Sequence, residues 1–513
     1  SFPTRRSSDL TYALDDAYIH LAMAKNLAEH GVWGVNRQEF SSTSSAPLWT
    51  ALLGLAFLLA GPRAIVPLLL NIAVSLALLL LANRLLVRES NLAPRSRALV
   101  LVALVLFVPV VPMIATGQEH LLHLLLIVLF LLGLGRLLAT PSRGLGRLPL
   151  ELWIATPALG LVRYESLLLV GVTVLILALR RRWTDGAILA GLGFLPPLAF
   201  GLWSVAHGGY FFPNPVLLKA NLPLGDSGAL LKTATGYVAL RRLFINAHLL
   251  VPLLLALGLL TALAARGASI ATQPVRRPLP GTALMLFAAT TLLHLTLADV
   301  GWFHRYEAYL VGLGILAIAL GLGSAIDAAR DVFDRFVQHG TARVALILTL
   351  LLSAAPLADR AARATLETPK AMRNIYEQQI QVARFLRDHC GDRSVAMNDI
   401  GAASFLADIR CVDLMGLANQ RIAGRIRART YGPGALELIL REEGVSVAVL
   451  YENWIRVPAE WTRVARWRIE GNVVTGGDTV AFFALAAHDA PDLDDGLRRF
   501  RSRLPARVLV ATP

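Results

Sequence analysis

Charge is scarce in this chain. Asp, Glu, Lys and Arg make up 16% of its 513 residues, hydrophobic residues 55%, and mean hydropathy is +0.57. A composition this poor in charge excludes an ordinary soluble globular protein and predicts a polytopic membrane protein. Lysine is rarer still: four of the 49 basic residues, at positions 25, 219, 232 and 370, the rest being arginine. That skew reads as genome composition. The net charge of +14 alone would suggest nucleic acid. The arginines, however, fall in short clusters between apolar runs, as in cytoplasmic loops of membrane proteins, and no nucleic-acid partner is expected.

Other shortages exclude other chemistries. There are two cysteines, Cys390 and Cys411, and no Cys/His cluster has zinc spacing. His120 and His123 lie three apart, but two ligands do not make a metal site. The glycines at 312, 314, 321 and 323 follow no strand-like segment. They read as close helix packing, with no nucleotide loop. The first ten residues, SFPTRRSSDL, contain no methionine and no signal-peptide core, and resemble translated sequencing-adapter sequence. Residues 1–10 are therefore read as non-native, and a native first helix is expected before them.

What the chain has in quantity is apolar runs. They sit at about 65–83, 98–115, 119–138, 150–162, 166–180, 186–206, 248–265, 281–298, 308–325 and 342–357, giving about ten visible spans, eleven with the missing helix. Pro196-Pro197 inside one of them predicts a kink. Orientation follows from arginine. Arg84, Arg88, Arg95 and Arg97 lie in one connection. Arg136, Arg143 and Arg147, then Arg180 to Arg182, then Arg266, Arg276 and Arg277, then Arg330, Arg335 and Arg343 lie in alternate later ones. These loops are assigned to the cytoplasm. The opposite loops, 116–119, 163–165, 207–247, 299–307 and everything after 357, then face the exterior. The scheme requires the short run 47–61 to lie at the outer interface without crossing. The expected organisation is an exterior first loop over 11–64, a transmembrane domain over 65–357 and an exterior domain over 358–513.

Past 358 the apolar runs shrink to strand length: Ser394–Met397, Cys411–Met415, Val445–Tyr451 and Thr479–Leu485. Helical patterns at 374–389 and 434–443 alternate with them, which predicts a small soluble α/β domain. Cys390 and Cys411 are either a disulfide in an oxidising compartment or two buried thiols.

The unusual polar residues concentrate in the exterior loops. Asp15 and Asp16 are adjacent carboxylates at the mouth of the membrane domain: either solvated loop charges, or a pair in which one serves as a base. Glu119 starts a helix. Arg163-Tyr164-Glu165, Asn214 with Lys219, and His304-Arg305-Tyr306-Glu307 occupy the other loops. Singly each reads as an interface anchor or a cap. Together they place carboxylates and cations on one surface, from five connections, as a site on a rigid helical frame requires. Transfer from a lipid-phosphate donor fits this set. Arg163, Lys219 and Arg305 would stabilise the anionic leaving group, and Asp15 or Asp16 would take the proton of an acceptor hydroxyl. Glu119, Glu165, Asn214, His304 and Tyr306 are further candidates for binding the donor.

The motifs resemble those of GT-C class glycosyltransferases, and in particular of proteins similar to the terminal arabinofuranosyltransferase of the mycobacterial cell wall. The resemblance rests on Asp15-Asp16-Ala17-Tyr18-Ile19, Ala24-Lys25-Asn26-Leu27, Ser44-Ser45-Ala46-Pro47-Leu48-Trp49 and Thr116-Gly117-Gln118-Glu119. It also rests on Arg163-Tyr164-Glu165, with Tyr in place of the family's Pro, Pro213-Asn214-Pro215 with Lys219, and Asp399-Ile400-Gly401-Ala402. It implies an inverting transferase in the bacterial inner membrane, acting on its exterior side. The implied donor is a polyprenyl-phosphate sugar, the acceptor a glycan or lipid, and the base the first-loop Asp, with Asp15 favoured. No cofactor is required by this reading. A divalent cation held by Asp15, Asp16 and Glu119 stays open as an alternative.

Two rivals come from other classes. A secondary transporter would need ionisable residues near mid-bilayer, whereas these spans are nearly free of them. A non-catalytic envelope-assembly scaffold would show no dependence on Asp15 or Asp16.

Overall fold

The computed structural model describes residues 10–140, 148–219, 237–269, 278–328, 340–391, 393–407 and 409–511. Of the arginines that set the orientation, Arg143, Arg147, Arg276, Arg277, Arg330 and Arg335 lie outside these residues, as do positions 1–9.

The chain opens with two short helices, α1 (Asp16–His30) and α2 (Pro47–Ala60), packed on each other. α1 stops where Gly31 takes a left-handed φ of +68°, a conformation glycine adopts without steric cost. α2 begins at a proline, whose missing N–H costs nothing in a first turn. At 14 residues α2 is about 21 Å long, short of the ~30 Å hydrocarbon layer.

The helical frame follows: α3 (Val66–Glu89), α4 (Pro94–Phe107), α5 (Val110–Thr116), α6 (His120–Ala139), α7 (Leu150–Val162), α8 (Ser166–Leu179) and α9 (Trp183–Ala206). After the six-residue α10 (Asn214–Lys219) come helices at Tyr237–Ile245, Ala247–Ser269, Leu279–Leu297, Ala308–Ala328 and Gly340–Ile375. Among the described residues, six helices are long and apolar enough to cross a membrane. The count becomes seven if α4 and α5, bent by 40° at their junction, form one span. The protein is a multi-pass membrane protein. The expected runs at 150–162 and 166–180 are helices α7 and α8, each below that length. Pro196 and Pro197 lie within the single helix α9.

Glycine sets the helix spacing at the centre. A Cβ on Gly312 would stand 2.6 Å from Leu124, and one on Gly314 would stand 2.8 Å from Phe287. At both positions the helix Ala308–Ala328 approaches a neighbour as only glycine allows.

The C-terminal part is a mixed six-stranded sheet in the order β2-β1-β3-β5-β4-β6. The strands are β1 (Ser394–Met397), β2 (Arg410–Asp413), β3 (Val445–Leu450), β4 (Thr462–Arg468), β5 (Thr479–Ala484) and β6 (Leu509–Ala511). β1 runs parallel to β2 and β3, and the remaining pairs are antiparallel. Strand periodicity splits the side chains between two faces. Val395, Met397, Val447, Val449 and Phe482 pack with Phe385 and Phe405, in one apolar core continuous with the helical frame. Ala396, Val412, Ala448, Leu450 and Phe483 face Ile422, Leu436 and Leu440 on the other side. Cys390 and Cys411 are separate buried thiols.

Candidate active site

Adjacent residues on a helix point about 100° apart, so two neighbouring carboxylates cannot share one target. Asp15 and Asp16 obey this rule. Asp16 heads α1, and its helical neighbours at the third and fourth positions, Ile19 and His20, line a cavity of about 230 Å³ with it. The wall is completed by Thr43 and Ser45 from the first loop, Gln118 and Glu119 ahead of α6, and Arg163, Tyr164 and Glu165 between α7 and α8. Pro215 and Val216 of α10, Asp299, Arg305 and Tyr306 of one loop, and Leu417 of the C-terminal domain close it. Ile19, Leu168, Val216, Leu297 and Leu417 give the cavity apolar lining beside its charges.

The charges are paired across the chain. Arg305 binds Asp16 and the Gln118 amide oxygen through its two terminal nitrogens. Arg163 donates to Glu119 at 2.8 Å and grips Glu165 with Nε at 3.1 Å and a terminal nitrogen at 2.5 Å. Bidentate geometry fixes a guanidinium as a single contact cannot. Tyr306 contacts both cations, its ring centroid 5.6 Å from the Arg163 guanidinium and 5.0 Å from that of Arg305. Trp302, Phe303 and His304, which lead into Arg305, all have positive φ, a costly backbone for residues with a Cβ. Among the described residues no partner satisfies Glu119 Oε2, Tyr164 Oη or Arg305 Nε. Buried polar atoms left without partners are expensive, so these atoms leave hydrogen-bonding capacity for a ligand.

Asp15 goes elsewhere. Its carboxylate accepts the backbone N–H of Gly401 at 2.6 Å and of Ala402 at 2.8 Å, at the start of the helix Gly401–Leu406. Burial and the charges of Asp399 and Asp16 push the Asp15 carboxyl well above the usual carboxylate range, against the two N–H groups that favour its anion. Asp399 accepts from Gln379 at 2.7 Å and from the Tyr451 hydroxyl at 3.0 Å, and also bonds to Asp15. Burial raises its carboxyl to about 6.

The geometry thus brings together Asp16, Glu119, Arg163, Glu165, Arg305 and Tyr306. It separates the others. The favoured residue of the first-loop pair, Asp15, is committed to the C-terminal domain. Asn214 donates to the Gly416 carbonyl at 2.9 Å and acts as a strut between α10 and that domain. His304 turns to Glu367, 3.6 Å away. Lys219 ends α10, and its side chain lies outside the described residues. No group of three His, Cys, Asp or Glu among the described residues is arranged to hold a metal ion, so Asp15, Asp16 and Glu119 do not form the set considered above. The sequence reading missed His20, Gln118 and Leu417 as lining residues. The spacing of His20 from Asp16 was a usable signal; Leu417 arrives only through the tertiary fold.

Comparison with known proteins agrees with this architecture. ArnT from Cupriavidus metallidurans in the apo state is similar at a TM-score of 0.51 and 14% identity, over 94% of this chain and 95% of ArnT. The structure of the same protein bound to undecaprenyl phosphate gives 0.50 and 13%, over the same shares. The arabinofuranosyltransferase AftD from Mycobacteria is at a TM-score of 0.40 and 15% identity, with 38% of that longer chain covered, and bears no weight here. The chain has a GT-C-like fold that includes a C-terminal domain built on a sheet. Residues 373–483 match the family described as "Domain of unknown function (DUF8728)". No curated protein matches in sequence.

Proposed function

We propose that the protein is a glycosyltransferase that moves a sugar from a polyprenyl-phosphate donor to a hydroxyl of a cell-envelope glycan or lipid, with inversion and with Asp16 as general base. One observation carries the reading: Asp16, Arg163 and Arg305 line a single cavity together with the apolar side chains of Ile19, Leu168, Val216, Leu297 and Leu417. An amphiphilic donor needs both kinds of lining, cations for its phosphate and hydrocarbon for its chain. The fold shared with ArnT, which has been seen with undecaprenyl phosphate, supports that donor class.

The acceptor oxygen attacks the anomeric carbon, and the bond from that carbon to the phosphate oxygen breaks. The phosphate leaves with its polyprenyl chain, and the acceptor proton passes to Asp16. Protonation cancels the charge that holds Arg305. The guanidinium is then free to meet the phosphate as negative charge develops there, when such help lowers the barrier most. Arg163, oriented by Glu119 and Glu165, supplies a second cation to the phosphate. The arginine distribution supports an inner-membrane location with this cavity on the exterior side.

The test is transfer from labelled polyprenyl-phosphate pentoses and hexoses by the purified protein. Asp16→Asn should slow transfer about 10²- to 10⁴-fold while undecaprenyl-phosphate binding stays within about twofold, since an amide keeps the shape but cannot take the proton. Wild-type rates in that variant, or no transfer by the wild type from any such donor, would overturn the reading.

A further inference from the structure

The segment of unknown function, 373–483, lines the cavity through Leu417 alone among its described residues. Its strongest link to the site runs through the residue beside the cavity carboxylate. The two N–H groups of Gly401 and Ala402 hold Asp15 at 2.6 and 2.8 Å, and Asp15 is joined to Asp16 by one peptide unit. The fit is exact enough to demand glycine. A Cβ at position 401 would lie 2.7 Å from the Asp15 carboxylate oxygen and would also collide with the Asp15 carbonyl. The holding side is itself braced: Asp399 precedes the turn and is fixed by Gln379 and Tyr451. A second connection lies nearby, where Asn36 Nδ2 donates to the Cys411 carbonyl at 3.0 Å and the Cys411 N–H donates to Asn36 Oδ1 at 3.0 Å. The first loop is therefore moored to the sheet domain at two places.

We infer that this domain positions the first loop, with Gly401 and Ala402 clamping Asp15 so that Asp16 stands at the cavity wall opposite Arg305. Asp15 is then a positioning residue. Its carboxylate makes no capping bond to α1 but anchors the residue from which α1 begins, and the helical twist of one residue carries Asp16 to the cavity. The inference rests on the transferase reading for its activity arm alone.

Two variants of the full-length protein test it. Gly401→Ala inserts the colliding methyl. Ala402→Pro removes one donor at a first-turn position that tolerates proline. Each is assayed for transfer and, independently of activity, for amide hydrogen exchange over residues 11–30. Both variants should exchange faster there. Gly401→Ala should lower kcat by up to about 10²-fold, the effect of a displacement near 1 Å, with donor KM within about threefold. Adding Asp15→Asn to Gly401→Ala should cost no more than about twofold further, because both remove one interaction. Unchanged exchange in both variants, wild-type kcat in both, or fully additive losses would overturn the clamp. If wild-type protein transfers no sugar yet exchange responds as described, the positioning role stands and the transferase reading falls. A Gly401→Ala protein that does not fold leaves Ala402→Pro to decide.

Discussion

Arg305 and Asp16, 289 positions apart in sequence, form one ion pair on the cavity wall, and Gln118 takes the other terminal nitrogen of the guanidinium. An ammonium group cannot serve both partners in that planar geometry. Arg305→Lys should therefore lower kcat/KM for the donor roughly 10- to 100-fold, the worth of one charge-assisted hydrogen bond. Steady-state kinetics with labelled donor checks this. An unchanged ratio would remove Arg305 from the reaction.

The Asp15–Asp399 contact makes docking of the C-terminal domain sensitive to pH. Asp399 has its carboxyl raised from 3.8 to about 6 in the docked state. The docked form binds the proton more tightly, so this contribution is complete below about pH 4, is lost as pH rises through about 6, and then levels off. Asp15, shifted in the same direction, adds to the loss. Asp399→Asn keeps an acceptor for Gln379 and Tyr451 and removes the titration. Exchange of residues 11–30 should rise with pH between 4 and 7 in the wild type, and by less in the variant. Equal slopes would refute the assignment.

Glu307 and Arg360 form a buried pair at 3.1 Å, and Arg360 also donates to the carbonyls of Phe107 and His304. Glu307→Ala leaves the guanidinium without its counter-charge in a site where Arg360 is 3% exposed. The variant should lose about 3–5 kcal/mol of stability, read from denaturant unfolding of the detergent-solubilised protein. A loss within about 0.5 kcal/mol, the usual range for surface substitutions, would show that the pair is not needed.

Gln38→Cys and Thr430→Cys should both react with a membrane-impermeant thiol reagent applied from the exterior, and Arg95→Cys should not. The native thiols are buried. Reaction at only one of the first two positions would break the proposed orientation.

Much of the fold was legible because its signals are local. Ser394–Met397 reads as a strand and is β1 with the same bounds. The expected run Val445–Tyr451 is β3, which ends one residue earlier, at Leu450. β4 was not legible. Its pairing with β5 shifts register between Arg463 and Ala465, which buries Val464 and Ala465 in succession and destroys the two-residue alternation. The number of spans was harder to read because α7 and α8 are helices too short to cross by length alone.

The candidate site divides along the same line. Clustered polar motifs in the loops between helices pointed to Asp16, Glu119, Arg163, Glu165, Arg305 and Tyr306, which line one cavity. Sequence proximity could not separate Asp15 from Asp16. That choice depends on the rotation of α1 and on an N–H pair 386 positions away. Nor does any pattern in residues 163–165 announce that Arg163 also binds Glu119.

The collision that any side chain at position 401 would make with Asp15 has a consequence for inheritance. A C-terminal domain grafted from another lineage would have to bring a glycine in register with the host's first loop. The two halves of the chain are thus expected to change together, and recombination between them to be tolerated only among donors that keep that residue. Modular swapping, open to domains joined only by linkers, is closed to this one at a single atom.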